Sequence, residues 1–196
     1  MPKINKIAGV DEVGRGCLAG PVFSAAVILN KKINTKDIKD SKKISFKKRI
    51  LLSQYIKKNS TYAIGVVSVK EIDKINILNA SLLSMKRALS KLKLKPTIAY
   101  IDGPFAPKLK MKYKTFIRGD EKIKSIAAAS IIAKVSRDLF MIKLSKKYPK
   151  YRWHKNFGYG TNDHIDGLKK YGVTKYHRKK FKPVHNILFH KTRETQ

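Results

Sequence analysis

Four acidic residues, Asp11, Glu12, Asp102 and Asp120, stand at the ends of short apolar runs, where carboxylates can meet and hold a hard metal ion. They attract notice because the chain has 13 acidic residues against 45 basic ones. Asp37, Asp40, Glu71 and Asp73 have a simpler use, in polar segments or at expected helix starts, where a carboxylate caps free N–H groups. By contrast Asp11 and Glu12 directly follow Ile7–Val10, Asp102 closes Thr97–Ile101, and Asp120 sits in Arg118-Gly119-Asp120 after another short apolar stretch. Carboxylates gathered at strand ends repel one another unless a cation lies among them. With one cysteine and no paired histidines on a helix, the ligands are all oxygen, which selects Mg²⁺ or Mn²⁺. Two such ions about 3.5–4 Å apart can activate a water and stabilise a leaving oxygen in phosphodiester hydrolysis. Taken singly, each acid also reads as a turn or cap residue, Asp102-Gly103 most easily. Asp11-Glu12 carries a geometric condition: neighbours in a strand face opposite ways, so both serve one site only where the strand ends or twists strongly.

The elements that must position these acids follow from apolar spacing. Ile7–Asp11 and Val22–Leu29 read as buried strands, joined by a tight loop through Gly14-Arg15-Gly16 and Gly20-Pro21. Lys31–Ser45 is a polar surface loop, Phe46–Asn59 a helix and Tyr62–Val69 a third strand. Ile75–Leu92 repeats apolar residues at helical intervals until Pro96 stops it. Thr97–Ile101 is a fourth strand, Lys114–Ile117 a short fifth, and Ile123–Lys146 a long helix with a small-residue face. This is an α/β chain with antiparallel strands first and a crossover later. Residues 1–148 form the expected catalytic domain. Beyond them aromatics, His and Lys mix, with helical spacing in Asn162–Tyr171 and Val184–Phe189, so 149–196 reads as a small helical appendage completing the substrate site.

A net charge of +32 favours a polyanionic partner, because phosphate contacts release counterions. A genome rich in A and T would also enrich lysine, so charge alone names no chemistry. The single Cys17 excludes an internal disulfide and a multi-cysteine zinc site. No secretion signal and no bilayer-length apolar run is evident, so the expectation is a cytoplasmic monomer with no membrane partner.

An ordered series of motifs then carries a resemblance. Gly9-Val10-Asp11-Glu12-Val13-Gly14-Arg15-Gly16 is followed by Leu18-Ala19-Gly20-Pro21-Val22, Asp40-Ser41-Lys42-Lys43-Ile44-Ser45 and Asn76-Ile77-Leu78-Asn79-Ala80. Ile101-Asp102-Gly103, Gly119-Asp120, Ala127–Asp138, Gly158-Tyr159-Gly160-Thr161 and His177-Arg178 come next. The series, from about Ile7 to Val184, resembles the ribonuclease HII family.

The resemblance implies a ribonuclease H-like fold, a five-stranded mixed sheet flanked by helices with a small C-terminal helical extension. It assigns metal binding to Asp11, Glu12, Asp102 and Asp120, the same acids singled out above. It implies hydrolysis of RNA within an RNA–DNA hybrid, or at a ribonucleotide embedded in duplex DNA, leaving a 3′-hydroxyl and a 5′-phosphate. It gives Gly14, Arg15 and Gly16 the ribose 2′-hydroxyl, which distinguishes RNA from DNA, and gives Tyr159 the neighbouring deoxyribose. Ser41, Lys42 and Lys43 resemble a phosphate-contacting loop. Ser130, Lys134 and Arg137 recur at helical spacing, which suits phosphate positioning or, more plainly, a solvated helix face. Where the family commonly has His-Lys before Gly-Tyr, this chain has Asn156-Phe157, so one phosphate contact is missing from the pattern. Two rivals remain at this stage. A non-catalytic basic nucleic-acid-binding protein explains the charge but not the acids; another nuclease or transposase of the same broad fold explains the acids but not Gly14-Arg15-Gly16 with Tyr159.

Overall fold

The computed structural model describes residues 6–38 and 44–193. Its strands are β1 (Ile7–Val13), β2 (Val22–Leu29), β3 (Ser60–Val67), β4 (Ile98–Asp102) and β5 (Lys112–Phe116). They form one sheet in the order β3-β2-β1-β4-β5, with β1 antiparallel to β2 and parallel to β4, and β4 parallel to β5. This is the mixed five-stranded sheet that the resemblance implies. The helices are α1 (Phe46–Lys58), α2 (Val69–Ser90), α3 (Gly119–Lys122), α4 (Lys124–Ser145), α5 (Trp153–Asn156), α6 (Asn162–Tyr171) and α7 (Lys182–Arg193), with a 3₁₀ turn at Pro149–Tyr151.

The chain's contacts divide it into two compact units. The first comprises the chain up to Val13 with Phe23–Val66 and Ser81–Ser136. Here the inner strand β2 is buried on both faces, which is why it reads as an apolar run broken only by Ser24. Ala8, Val10, Ala26, Ile28, Ala99 and Ile101 point to one face and pack on Met85, Ala88 and Leu89 of α2. Ala25 and Val27 point to the other, against Leu52 and Ile56 of α1 and the Ala127–Ala133 stretch of α4. The small side chains of α4 let it lie close to the sheet. A Cβ on Gly9 of β1 would stand 2.0 Å from the Ser125 carbonyl carbon, so only glycine permits this approach.

The second unit comprises Gly14–Val22, Val67–Ala80 and the chain from Arg137 onward. One small core joins Ala19, Met141, Leu144, Tyr151 and Trp153; another joins Leu18, Leu168 and Val184, with Ile165 and Phe181 against it. The helices α6 and α7 are amphipathic and turn their apolar sides to this second core.

Three differences from the spacing-based expectation have a visible local cause or bear on the acids. β1 continues through Glu12 to Val13, because pairing with β2 persists to Val13↔Phe23. α2 starts at Val69, before its apolar repeat, because Ser68 and Glu71 cap each other's backbone N–H. It also breaks at Asn76 (φ 65°, ψ 170°), whose Oδ1 accepts from the Asn79 N–H at 3.0 Å and starts the second stretch afresh. The long helix starts at Lys124, after the separate short α3. Among the described residues no helix is long and apolar enough to cross a membrane.

Candidate active site

The parallel pairing of β1 with β4 runs from Ile7↔Ile98 to Val10↔Ile101. The next residues on the two strands are Asp11 and Asp102, about 4.8 Å apart by the spacing of paired strands. Strand alternation turns both away from the α2 side, where Val10 and Ile101 lie, and toward the α4 side. Asp11 is buried; its Oδ1 accepts from the Glu12 N–H at 2.7 Å, and the Ser130 hydroxyl on α4 also bonds to the carboxylate. Asp102 Oδ1 accepts from the Gly119 N–H at 2.7 Å, which ties β4 to the start of α3 and to buried Asp120. Burial, then the charges of Glu12 and Asp102, push the Asp11 carboxyl well above its usual range. Burial also pushes Asp102 up; the Gly119 N–H opposes this, and the charge of Asp120 adds to it.

Asp11, Asp102 and Asp120 are thus brought together as a line of mutually repelling carboxylates. Glu12 is placed differently. It remains paired opposite Ser24 inside β1, so its Cβ leaves the strand on the other face from Asp11, yet its carboxylate is near enough that its charge acts on Asp11 more strongly than that of Asp102. The donor chemistry fits a hard divalent cation: the ligands are oxygen, poorly solvated, and stabilised by positive charge among them. Among the described residues, no three His, Cys, Asp or Glu side chains converge on one point as a closed cage.

The second unit holds the glycine loop and Tyr159. Gly14 has φ +95°, and a Cβ there would stand 2.3 Å from Arg137 Nε, so the fold itself demands glycine. Gly16 is different: its φ lies outside the left-handed region and a Cβ would meet nothing within 4 Å. Nothing among the described residues requires glycine at that exposed position. The phenol of Tyr159, 38% exposed, is pushed up to about 12 by burial and then by Cys17, to which it is hydrogen-bonded. Its backbone is fixed, with its N–H donating to Asn156 O at 2.9 Å and its carbonyl accepting from His164 Nδ1 at 2.8 Å. Phe157, the departure from the family pattern, packs its ring against the Ala19–Trp153 core, so an apolar residue there has a structural use.

The expected phosphate ligands divide. Ser41, Lys42 and Lys43 lie outside the described residues. Lys134 is partly exposed, while Ser130 is buried and bonds to Asp11. Arg137 requires a correction. It is fully buried, and its guanidinium donates to Pro21 O, Phe157 O and Ala19 O at 3.0, 2.9 and 3.0 Å. These bonds make it a brace for two backbone segments and leave it no approach to phosphate.

Composition and spacing did not single out Arg178, His164 or His177. Arg178 is fully buried and donates to Gly14 O, Arg15 O and Gly20 O at 2.6, 2.8 and 2.8 Å. The two histidines form a buried pair, 3.1 Å between Nε2 atoms, with Trp153 Nε1 donating to His164 Nε2 at 3.0 Å. The only sequence signal was the His177-Arg178 motif, since an arginine in so basic a chain reads as surface.

The chain is similar to known proteins in sequence and in fold. The family model for ribonuclease HII matches residues 8–184. The chain is 59% identical over 183 residues to a ribonuclease HII of Pelagibacter ubique, covering 93% of this chain and 98% of that protein. It is 50% identical over 181 residues to a ribonuclease HII of a Wolbachia from Brugia malayi, covering 92% and 89%. Among solved structures, ribonuclease H2 from Pyrococcus horikoshii superposes with a TM-score of 0.78 at 28% identity, covering 92% of this chain and 96% of that one. Bst-RNase HIII in complex with Mn²⁺ shares the fold, with a TM-score of 0.75 at 16% identity, covering 95% and 70%.

Proposed function

This chain belongs to the ribonuclease HII family of endoribonucleases, and we propose that it hydrolyses the RNA strand of RNA–DNA hybrids and cuts 5′ of single ribonucleotides in duplex DNA. Asp11, Glu12, Asp102 and Asp120 would hold the metal, Mg²⁺ or Mn²⁺. When bound, the metal supplies a Lewis acid for water activation and leaving-oxygen stabilisation, giving 3′-hydroxyl and 5′-phosphate ends. Ser130 and the Gly119 N–H orient the Asp11 and Asp102 carboxylates by donating to them. Gly14, Arg15 and Gly16 take the ribose 2′-hydroxyl, and Tyr159, brought by the 149–196 segment, packs on the deoxyribose beside it. Ser41, Lys42, Lys43 and Lys134 contact phosphates. The protein acts as a monomer in the cytoplasm.

Gly16 carries the ribonucleotide reading. It is exposed and unstrained, with open space among the described residues where a side chain would be, which supports a role toward a group that approaches from outside. A backbone without a Cβ can come within hydrogen-bonding reach of a sugar. The test is Asp11→Asn and Asp102→Asn. Both variants should lose cleavage in Mg²⁺ and Mn²⁺ while keeping much of their hybrid affinity, because the basic surface is intact. Near-normal turnover by either variant overturns the assignment.

A further inference from the structure

Arg178 has no part in the chemistry described above, yet it is buried completely against the loop that is to read the sugar. Its Nη2 donates to Gly14 O at 2.6 Å and to Gly20 O at 2.8 Å, Nη1 to Arg15 O at 2.8 Å, and Nε to Gly20 O at 3.0 Å. A planar fork with five N–H donors on three nitrogens spans three separate carbonyls in fixed directions; the lysine ammonium carries its three donors on one atom and cannot reproduce that spread.

Peptide planarity gives this clamp a directional consequence. The structure contains no cis peptide among its described residues, so each carbonyl is antiparallel to the N–H of the next residue. Drawing Gly14 O toward the buried guanidinium turns the Arg15 N–H the opposite way. Drawing Arg15 O inward does the same for the Gly16 N–H. Arg15 and Gly16 are the exposed residues of the loop, so the clamp aims two consecutive donors away from the interior.

The clamp is anchored on the side that carries Tyr159. The Arg178 N–H donates to Leu18 O at 2.8 Å, and the Leu18 N–H donates to Gly158 O at 2.8 Å. The preceding residue, His177, bridges to Ala19 and lies 3.1 Å from His164, whose other ring nitrogen holds the Tyr159 carbonyl. One dipeptide therefore ties the glycine loop and the Tyr159 turn together.

We propose that Arg178 is a positioning residue for ribonucleotide recognition: it aligns the Arg15 and Gly16 N–H groups on the 2′-oxygen and holds that loop in register with Tyr159. The proposal rests on the reading that Gly14-Arg15-Gly16 meets the ribose. It acts through the loop, without touching substrate.

The test is Arg178→Lys, which keeps the charge and loses the fork. Cleavage is measured on duplex DNA with one ribonucleotide, and on the same duplex with a 2′-fluoro sugar there. The expected result is a kcat on the ribonucleotide lower by about tenfold or more, with KM nearly unchanged because phosphates set affinity, and a narrower preference for hydroxyl over fluorine. Trp153, the only tryptophan, reports whether the second unit is folded. A variant with wild-type kcat and preference overturns the proposal, as does a loss that merely follows the unfolded fraction equally on both substrates. A wild-type enzyme that ignores the ribonucleotide overturns the underlying reading instead, and this inference with it. Should Arg178→Lys fail to fold, amide NMR of the non-cleaving Asp102→Asn protein decides. The Arg15 and Gly16 N–H resonances should shift with a ribonucleotide duplex more than with all-DNA duplex; equal shifts overturn the underlying reading, and this inference with it.

Discussion

Acidification should unlock the second unit through one histidine. The Thr174 N–H donates to His177 Nδ1 at 2.9 Å, so that nitrogen carries no proton. His164 Nδ1 faces the Tyr159 carbonyl at 2.8 Å and must carry one, which leaves His164 Nε2 to accept from Trp153 and His177. Both rings are therefore neutral, and a second proton on either sets N–H against N–H. Burial, then His164, lowers His177 from 6.5 to about 3, and burial lowers His164 in the same direction. Below pH 6.5 the unfolded chain takes up a proton that the folded chain refuses, so stability is full above that pH and falls as pH drops toward 3. Well below pH 6.5 each pH unit removes about 1.4 kcal/mol, and with half of the uptake already complete at 6.5 the two units down to 4.5 remove about 2 kcal/mol through His177 alone. That is a large share of a typical 5–15 kcal/mol total. The assay is urea unfolding followed by Trp153 fluorescence at both pH values, for wild type and His177→Gln. Asp11 and Asp102, whose raised values act in the opposite direction, are common to both proteins and cancel in the comparison. The wild type should lose about 2 kcal/mol more than the variant over this interval; parallel losses refute the neutral-pair reasoning.

Gly14→Ala should cost about 1–3 kcal/mol of stability, from the left-handed backbone and the contact with Arg137, seen as a lower urea midpoint. Gly16→Ala should leave stability within about 0.5 kcal/mol but lower ribonucleotide cleavage by about tenfold or more; unchanged cleavage removes Gly16 from the sugar site. Arg137→Lys should cost about 2–4 kcal/mol by leaving buried carbonyls without a donor. The slope of its hybrid affinity against salt should be unchanged, whereas loss of a true phosphate contact would reduce that slope by about 0.9. Mn²⁺ should raise Tm more at pH 8 than at pH 5.5, because the raised carboxyls of Asp11 and Asp102 repel only when ionised. Asp102→Asn should shrink that gain, and a pH-independent gain would place the ion elsewhere.

The acids were legible because the chain has so few, and because apolar runs lead directly into Asp11 and Asp102. Strand register was not: only pairing of β1 with β4 shows that these two residues are neighbours. Pairing of β1 with β2 carries β1 past Glu12, which spacing alone had placed at a strand end. Gly14 and Gly16 look alike in sequence and differ in the fold, one required by backbone and packing, the other open. Arg137 and Arg178 were least legible, since their use lies in backbone carbonyls distant in sequence, which leave no pattern of residue types. Arg137 shows the cost of reading helical spacing as a surface, because buried arginines keep the same period as exposed ones.

The most direct measurement is product mapping on duplex DNA carrying one ribonucleotide, with Mg²⁺, with Mn²⁺ and with EDTA. The account predicts a single cut on the 5′ side of the ribonucleotide, leaving a 3′-hydroxyl on the DNA and a 5′-phosphate on the ribose, with either metal and not with EDTA. Cleavage elsewhere in the DNA, cleavage that survives EDTA, or an intact ribonucleotide strand in both metals would contradict it.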